Sequence, residues 1–242
     1  MLLVEHEAIG SILQVAMKYG IVFCIVAASL FCLAFMQQGW SWWLVWPAIS
    51  FAIIAAGYLG SGPRVYGKSQ ARILRLIARI LLFPYLVLTE AVWHIGRVMK
   101  REDAFNQLNE RLFIGRRLLP HEIPKGINHV VDLTCEFPQP RGDLFYTYHC
   151  YPILDGHVPE PKKLRQWAAE VAMLPGKIYI HCAEGHGRTG LFTSALLVEQ
   201  AEFSTVDEAL AYVKSKRPQV RLSRRQMLVL QAEYAEATSA SS

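Results

Sequence analysis

The sequence predicts an α/β domain, a sheet covered by helices, preceded by an N-terminal transmembrane helical hairpin. Three observations predict it. No Asp, Glu, Lys, Arg or His occurs in residues 19–63. Beyond residue 105, β-branched or aromatic runs alternate with amphipathic stretches. Within that second part, a buried-strand pattern, Lys177-Ile178-Tyr179-Ile180, runs into His181-Cys182-Ala183-Glu184-Gly185-His186-Gly187-Arg188-Thr189-Gly190. An apolar helix pattern opens at Leu191.

The charge-free stretch is too long for one core helix and suits two spans of ~20 residues each. A cleaved leader would have a shorter apolar run ahead of a polar chain, whereas here a second apolar run follows. Residues 1–63 are therefore expected to be a membrane anchor with two transmembrane helices. The first 18 residues form a short amphipathic lead-in, and Gln37-Gln38-Gly39 forms the turn. Trp40, Trp42, Trp43 and Trp46 crowd the start of the second span, as an aromatic belt does at a membrane interface. Pro47 falls in its first turns, where proline is tolerated.

Residues 64–104 read as a basic juxtamembrane segment. Arg64, Lys68, Arg72, Arg75, Arg79, Arg97, Lys100 and Arg101 fall here, beside Glu90 and Glu102. Arg72, Arg75 and Arg79 recur at helical spacing, which suits an amphipathic helix lying on anionic lipid. A third span through residues 80–98 is the competing reading, and it would have to carry Glu90 and His94. With two spans, both chain ends share one side. The basic flank and a reactive thiol place that side in the cytoplasm.

Residues 105–242 form the α/β domain. Strands are expected at 111–115, 129–133, 144–148 and 177–180, and a helix over 159–173 with Leu164, Trp167, Ala168 and Val171 inward. Thr205-Val206-Asp207-Glu208 is a capping box for a helix that ends near Lys216, and Pro218 stops it. A last helix covers 223–237, followed by a frayed tail. The five cysteines are odd in number and irregularly spaced, which argues against a disulfide framework, and no Cys/His spacing suggests zinc. The formal net charge of +5 is concentrated beside the apolar stretch. It points to membrane lipids and not to nucleic acid. Oligomeric state is not legible.

The chemistry gathers between Cys182 and Arg188. Gly185 and Gly187 let the backbone curl so that successive N–H groups converge on an anion. The helix beginning near Arg188 adds its positive end, and the guanidinium can hold two phosphate oxygens. The same field lowers a thiol pKa, so Cys182 becomes a nucleophile beneath a bound phosphoryl group.

His181, Cys182, Arg188 and Thr189 match H-C-x5-R-S/T, and the stretch resembles the signature loop of the cysteine-based phosphatases, protein tyrosine and dual-specificity. The resemblance covers residues 105–237 and is nearest the compact dual-specificity group. It implies a cysteine-dependent phosphatase with no cofactor and no metal. Cys182 would attack phosphorus, Arg188 would hold oxygens, and Thr189 would assist hydrolysis by donating to the sulfur. His181, Ala183, Glu184, Gly185, His186 and Gly187 would shape the substrate site. The family takes its general acid from an Asp on an upstream loop, a place that Asp155 fills. Asp132 and Asp143 are alternatives. Gln226 could place the hydrolytic water, although a Gln on a helix is more often a surface residue. Lipid-inositide phosphatases of the superfamily often carry lysines in this loop. Glu184 and His186 stand here instead, and a carboxylate repels a polyphosphorylated head group. Phosphoproteins are the first expected substrates, and a phospholipid with one terminal phosphate is the second. An inactive phosphate-binding scaffold is the third reading, against which Cys182, Arg188 and Asp155 all speak.

Overall fold

The computed structural model describes residues 2–37, 39–68, 72–140, 144–159 and 162–239. Gln38 of the expected turn, Asp143 and the last three residues of the tail lie outside them. The chain divides into two compact units, Met1–Arg101 with Cys135–Gln139, and Glu102–Thr134 with Pro140–Ser242.

The first unit is helical. Helix α1 (Leu2–Gln37) is continuous, so the expected lead-in and first span are one element. A 3-10 stretch (Gly39–Leu44) carries the tryptophans into α2 (Val45–Ala56). The segment then breaks at Gly60, whose φ is 156°, and ends in a second 3-10 turn, Gly62–Tyr66. Helix α3 (Arg72–Met99) follows. By length and composition this helix could cross a membrane, which is the competing reading of the sequence. Among the described residues, three segments meet that standard by length and composition: Lys18–Gln37, Gly39–Tyr66 and Arg75–Met99.

The proline, Glu90 and His94 of α3 have partners inside this unit. Pro84 has no N–H to give to the Ile80 carbonyl. The indole Nε1 of Trp46 donates to that oxygen at 3.0 Å, and the Tyr85 amide donates to Ser50 Oγ at 3.3 Å. Glu90 lies 3.8 Å from His94 one turn on. Phe23, Phe51, Tyr58 and Tyr85 pack as an aromatic cluster between the helices.

The second unit holds a five-stranded sheet in the order β1-β2-β5-β3-β4. The strands are β1 (Phe105–Gln107), β2 (Leu112–Arg116), β3 (His129–Thr134), β4 (Thr147–Ile153) and β5 (Ile178–Cys182). Only β1 runs antiparallel, against β2. It was not expected, since three residues are too short to show a period. Strand β4 starts three residues later than expected, because Tyr146 turns into a small core instead of continuing a ladder. The two-residue period divides each strand between two cores. Ile178, Ile180 and Cys182 of β5, with Leu112, Ile114, Val131 and Leu133, face the main core. Tyr179, Phe113 and Val130 face the other side.

Helices α4 (Lys163–Ala172), α5 (Gly187–Glu199), α6 (Val206–Lys216) and α7 (Arg224–Ser239) cover the main core. Thr205 caps α6 as expected, its Oγ1 accepting from the Glu208 amide at 3.3 Å. The register brings the carboxyl ends of the parallel strands together. Cys182 stands beside Arg116 and His181 beside Asp132, with Ile153 at the end of β4. Ligand sites of open parallel sheets form at this edge.

Candidate active site

Cys182 ends β5 and Arg188 lies in the first turn of α5, so the turn between them is held by the sheet at one end and the helix at the other. The loop is tight. Gly185 has φ 76°, and a Cβ there would sit 2.3 Å from the Gly115 carbonyl carbon of β2. This position admits only glycine. The Gly185 amide points inward, 3.2 Å from Cys182 Sγ. The first amides of α5 have no acceptor within the helix. Cys182 is 3% exposed and Arg188 2%.

Arg188 is gripped from the side of β4. One Nη donates to the Ile153 carbonyl at 3.0 Å, and the other lies 3.3 Å from Asp155 Oδ1. Asp155 itself is 74% exposed on the turn after β4, where Gly156 takes φ 70°. A buried guanidinium and an exposed carboxylate thus meet at the far end of the turn that begins at Cys182, with Asp155 on the solvent side. Of the alternatives, Asp132 is engaged elsewhere. Its oxygens accept from the Thr134 amide at 2.7 Å, Thr134 Oγ1 at 2.6 Å and Tyr148 Oη at 2.5 Å. Burial first, and then this carboxylate, push the Tyr148 phenol far up, so it remains a donor.

Residues 119–235 match the family described as dual specificity phosphatase, catalytic domain. The catalytic unit belongs to that family. The phosphatase domain is a cysteine-dependent phosphomonoesterase domain with the α/β fold of its relatives. Protein tyrosine phosphatase domain-containing protein 1 of Danio rerio is 40% identical over 65 residues, a match spanning 27% of this chain and only 9% of that protein. Human DUSP28 matches with 20% identity over 57% of this chain and 99% of its own, at a TM-score of 0.48. PTPMT1 in complex with PI(5)P matches with 16% identity over 58% of this chain and 100% of its own, at 0.50.

The loop of the phosphatase domain is anchored at several further points. His181 Nδ1 is 3.2 Å from the Cys182 carbonyl and 3.9 Å from Asp132 Oδ1, and its ring stacks on Tyr179 at 5.7 Å. The Ala183 carbonyl accepts from the Arg117 amide at 3.1 Å. Glu184 is part-buried. His186 is drawn to Glu102, Nε2 to Oε2 2.7 Å. Thr189 Oγ1 is buried with no hydrogen-bond partner, so the expected donation to the sulfur is not made in this structure.

Three residues matter more here than the sequence suggested. Gln226 is 2% exposed and not on the surface. A methyl on Gly187 would lie 3.2 Å from its Oε1, and its Nε2 donates to the His157 carbonyl at 3.1 Å. It therefore sits between the loop and the Asp155 turn. Burial, and then the Arg225 cation, push His157 down to about 4, so this ring is neutral at pH 7. Arg217 reads in sequence as a cation at a helix end before proline, yet it is 1% exposed and bonded to the loop. Glu102 reads as part of the basic flank, yet it holds His186. No local spacing announces either one.

Proposed function

We propose that the chain is a membrane-anchored phosphatase that hydrolyses phosphomonoesters through a cysteinyl-phosphate intermediate, with phosphoproteins carrying phosphotyrosine or phosphoserine/threonine as its main substrates. The observation that carries this reading is the Arg188–Asp155 contact at 3.3 Å, at the far end of the turn that begins at Cys182. Arg188 and the inward amides hold the phosphoryl oxygens. The Cys182 thiolate attacks phosphorus and the bond to the leaving oxygen breaks, while Asp155 supplies that oxygen with a proton. Asp155 then accepts a proton from water as the water attacks the thiophosphate, which releases orthophosphate and the thiolate. Gln226, beside Gly187 and the Asp155 turn, is placed to orient that water. Thr189 would donate to the departing sulfur after a rotation of its hydroxyl. Glu184 and Glu102 at the loop disfavour polyanionic head groups.

Chain connectivity favours a second substrate class, a phospholipid with a single terminal phosphate. Glu102 follows the end of α3 by three residues, about 10 Å of extended chain. Its carboxylate is bonded to His186 of the loop. Glu102, a partner of the loop, is thus joined to that helix end by a short run of chain. The structural neighbour bound to PI(5)P shares only the fold. Full-length protein in vesicles, assayed side by side on phosphopeptides and on phospholipid monoesters, decides between the classes. Faster turnover of the lipid reverses the assignment.

The catalytic unit is proposed to face the cytoplasm. Arg97, Lys100 and Arg101 flank the end of α3, and a thiolate needs a reducing compartment. The basic run from Arg64 to Arg79 pulls the other way if all three helices cross, so the placement rests on the thiol. Labelling single-cysteine variants in intact cells with an impermeant reagent tests it. Sites near Arg116 should be protected, and their labelling would overturn the placement. A site in the amino-terminal turn of α1 reports whether α3 crosses, since it is labelled with three spans and protected with two.

A further inference from the structure

We infer that Arg217 is the positioning residue that sets the phosphate-binding loop, acting with Asn106 and Glu102. The inference rests on the reading of residues 182–188 as that loop. A trans peptide is planar, and its C=O and N–H point in opposite directions. Whatever holds a loop carbonyl outward therefore aims the following amide inward. Three consecutive peptides of this loop are held in that way. The Arg117 amide holds the Ala183 carbonyl at 3.1 Å. Arg217 Nη2 holds the Glu184 carbonyl at 3.2 Å, and Arg217 Nε holds the Gly185 carbonyl at 2.9 Å. The consequence is visible at Gly185, whose N–H shares a peptide with the Glu184 carbonyl and points at Cys182 Sγ from 3.2 Å. By the same geometry the Glu184 and His186 amides turn inward.

One guanidinium thus sets two of the three peptides. It can do so because its far edge is fixed. Nη1 donates to Asn106 Oδ1 at 2.7 Å and to the Asp103 carbonyl at 3.0 Å, and Glu102 Oε2 lies 3.9 Å from Nη2. Glu102 also holds His186, the last residue before α5. The brace is built from the segment directly after α3 and from the end of α6. A lysine in place of Arg217 keeps the charge but cannot reach two carbonyls in one plane. The arrangement therefore separates position from field.

The test uses full-length Arg217→Lys, Arg217→Met and Asn106→Ala, with folding checked by thermal unfolding. Two readouts report the loop without turnover. They are the affinity for inorganic tungstate and the pH dependence of Cys182 alkylation by iodoacetamide, followed on the Cys182 peptide by mass spectrometry. Folded Arg217→Lys should bind tungstate about tenfold more weakly and turn over about 10²-fold more slowly, with its alkylation midpoint moved to higher pH. Asn106→Ala changes no charge and should weaken tungstate about threefold. A folded Arg217→Lys with wild-type tungstate affinity and alkylation profile would overturn the inference. If neither Arg217 variant folds, Asn106→Ala decides, and wild-type behaviour there overturns it as well. A wild-type protein with no phosphatase turnover would sink the functional reading alone, since tungstate binding and alkylation still report the brace.

Discussion

Replacing Gly185 by alanine sets the loop's backbone shape against its chemistry. The residue has φ 76°, where an L side chain costs about 1–2 kcal/mol. The new methyl would lie 2.3 Å from the Gly115 carbonyl carbon, 2.4 Å from its oxygen and 2.6 Å from the Arg116 amide. Since real Cβ contacts under 3.0 Å are essentially never seen, the groups must part by 3.0 − 2.3, about 0.7 Å. Strand β2 cannot yield, because it is paired on both sides, with β1 and with β5. The loop moves instead, which displaces the Gly185 N–H from Cys182 Sγ and both carbonyls from Arg217. Stability should fall by about 2–3 kcal/mol in urea unfolding, and kcat/KM on an aryl phosphate by about 10²-fold. Gly187→Ala is the control. Its methyl would lie 3.2 Å from the Gln226 side chain and 3.4 Å from the Arg221 carbonyl oxygen, with no positive φ, and the variant should lose less than about tenfold. Gly185→Ala with kcat/KM within about threefold of wild type would refute the argument that this backbone geometry holds the site.

Asp155→Asn should slow turnover of substrates with poor leaving groups by about 10²–10⁴ and spare those with good ones, in steady-state assays on alkyl and aryl phosphates. Equal losses would assign the proton to another group. Gln226→Ala should slow breakdown of the phosphoenzyme about tenfold and enlarge the pre-steady-state burst with an aryl phosphate. An unchanged burst would make Gln226 a structural link only. His157 takes up its proton near 4 in the folded chain and near 6.5 when unfolded, so the unfolded chain binds more protons between those values. Stability should therefore be full above about 6.5 and fall as pH drops toward 4, then level off. The ceiling is about 3 kcal/mol, reduced by partial exposure to about 1–2. His157→Gln should flatten that part of the profile in pH-dependent unfolding.

The parts of the site legible in the sequence are those that lie close together in it. Cys182, Gly185, Arg188 and the helix start form one local run whose residue types carry the chemistry. Asp155 was reached through the resemblance, as the Asp on the upstream loop, and it lies on the turn after β4. Arg217 was not legible, because its partners lie 32 residues away at Gly185 and 111 away at Asn106. Only the closed sheet brings them together. Glu102 meets His186 across 84 residues and was hidden in a basic flank for the same reason. In the fold, β5 and α5 matched their patterns, while β1 is too short to show a period. For α3 the composition leaves two readings open. Arg72, Arg75 and Arg79 suggested a surface helix, and a span would have had to carry Glu90 and His94. Trp46 and Ser50 answer Pro84, and Glu90 and His94 pair with each other.

The central claim is that phosphate passes through Cys182. Full-length protein mixed with an aryl phosphate, quenched in acid on the millisecond scale and digested, can be searched by peptide mass spectrometry for the mass of one phosphoryl group. The account predicts that adduct on the Cys182 peptide of the wild type. It should accumulate further in Gln226→Ala and be absent from Cys182→Ser, which should bind tungstate but show no turnover. Turnover by Cys182→Ser, or a phosphoryl group on any other residue, would contradict it.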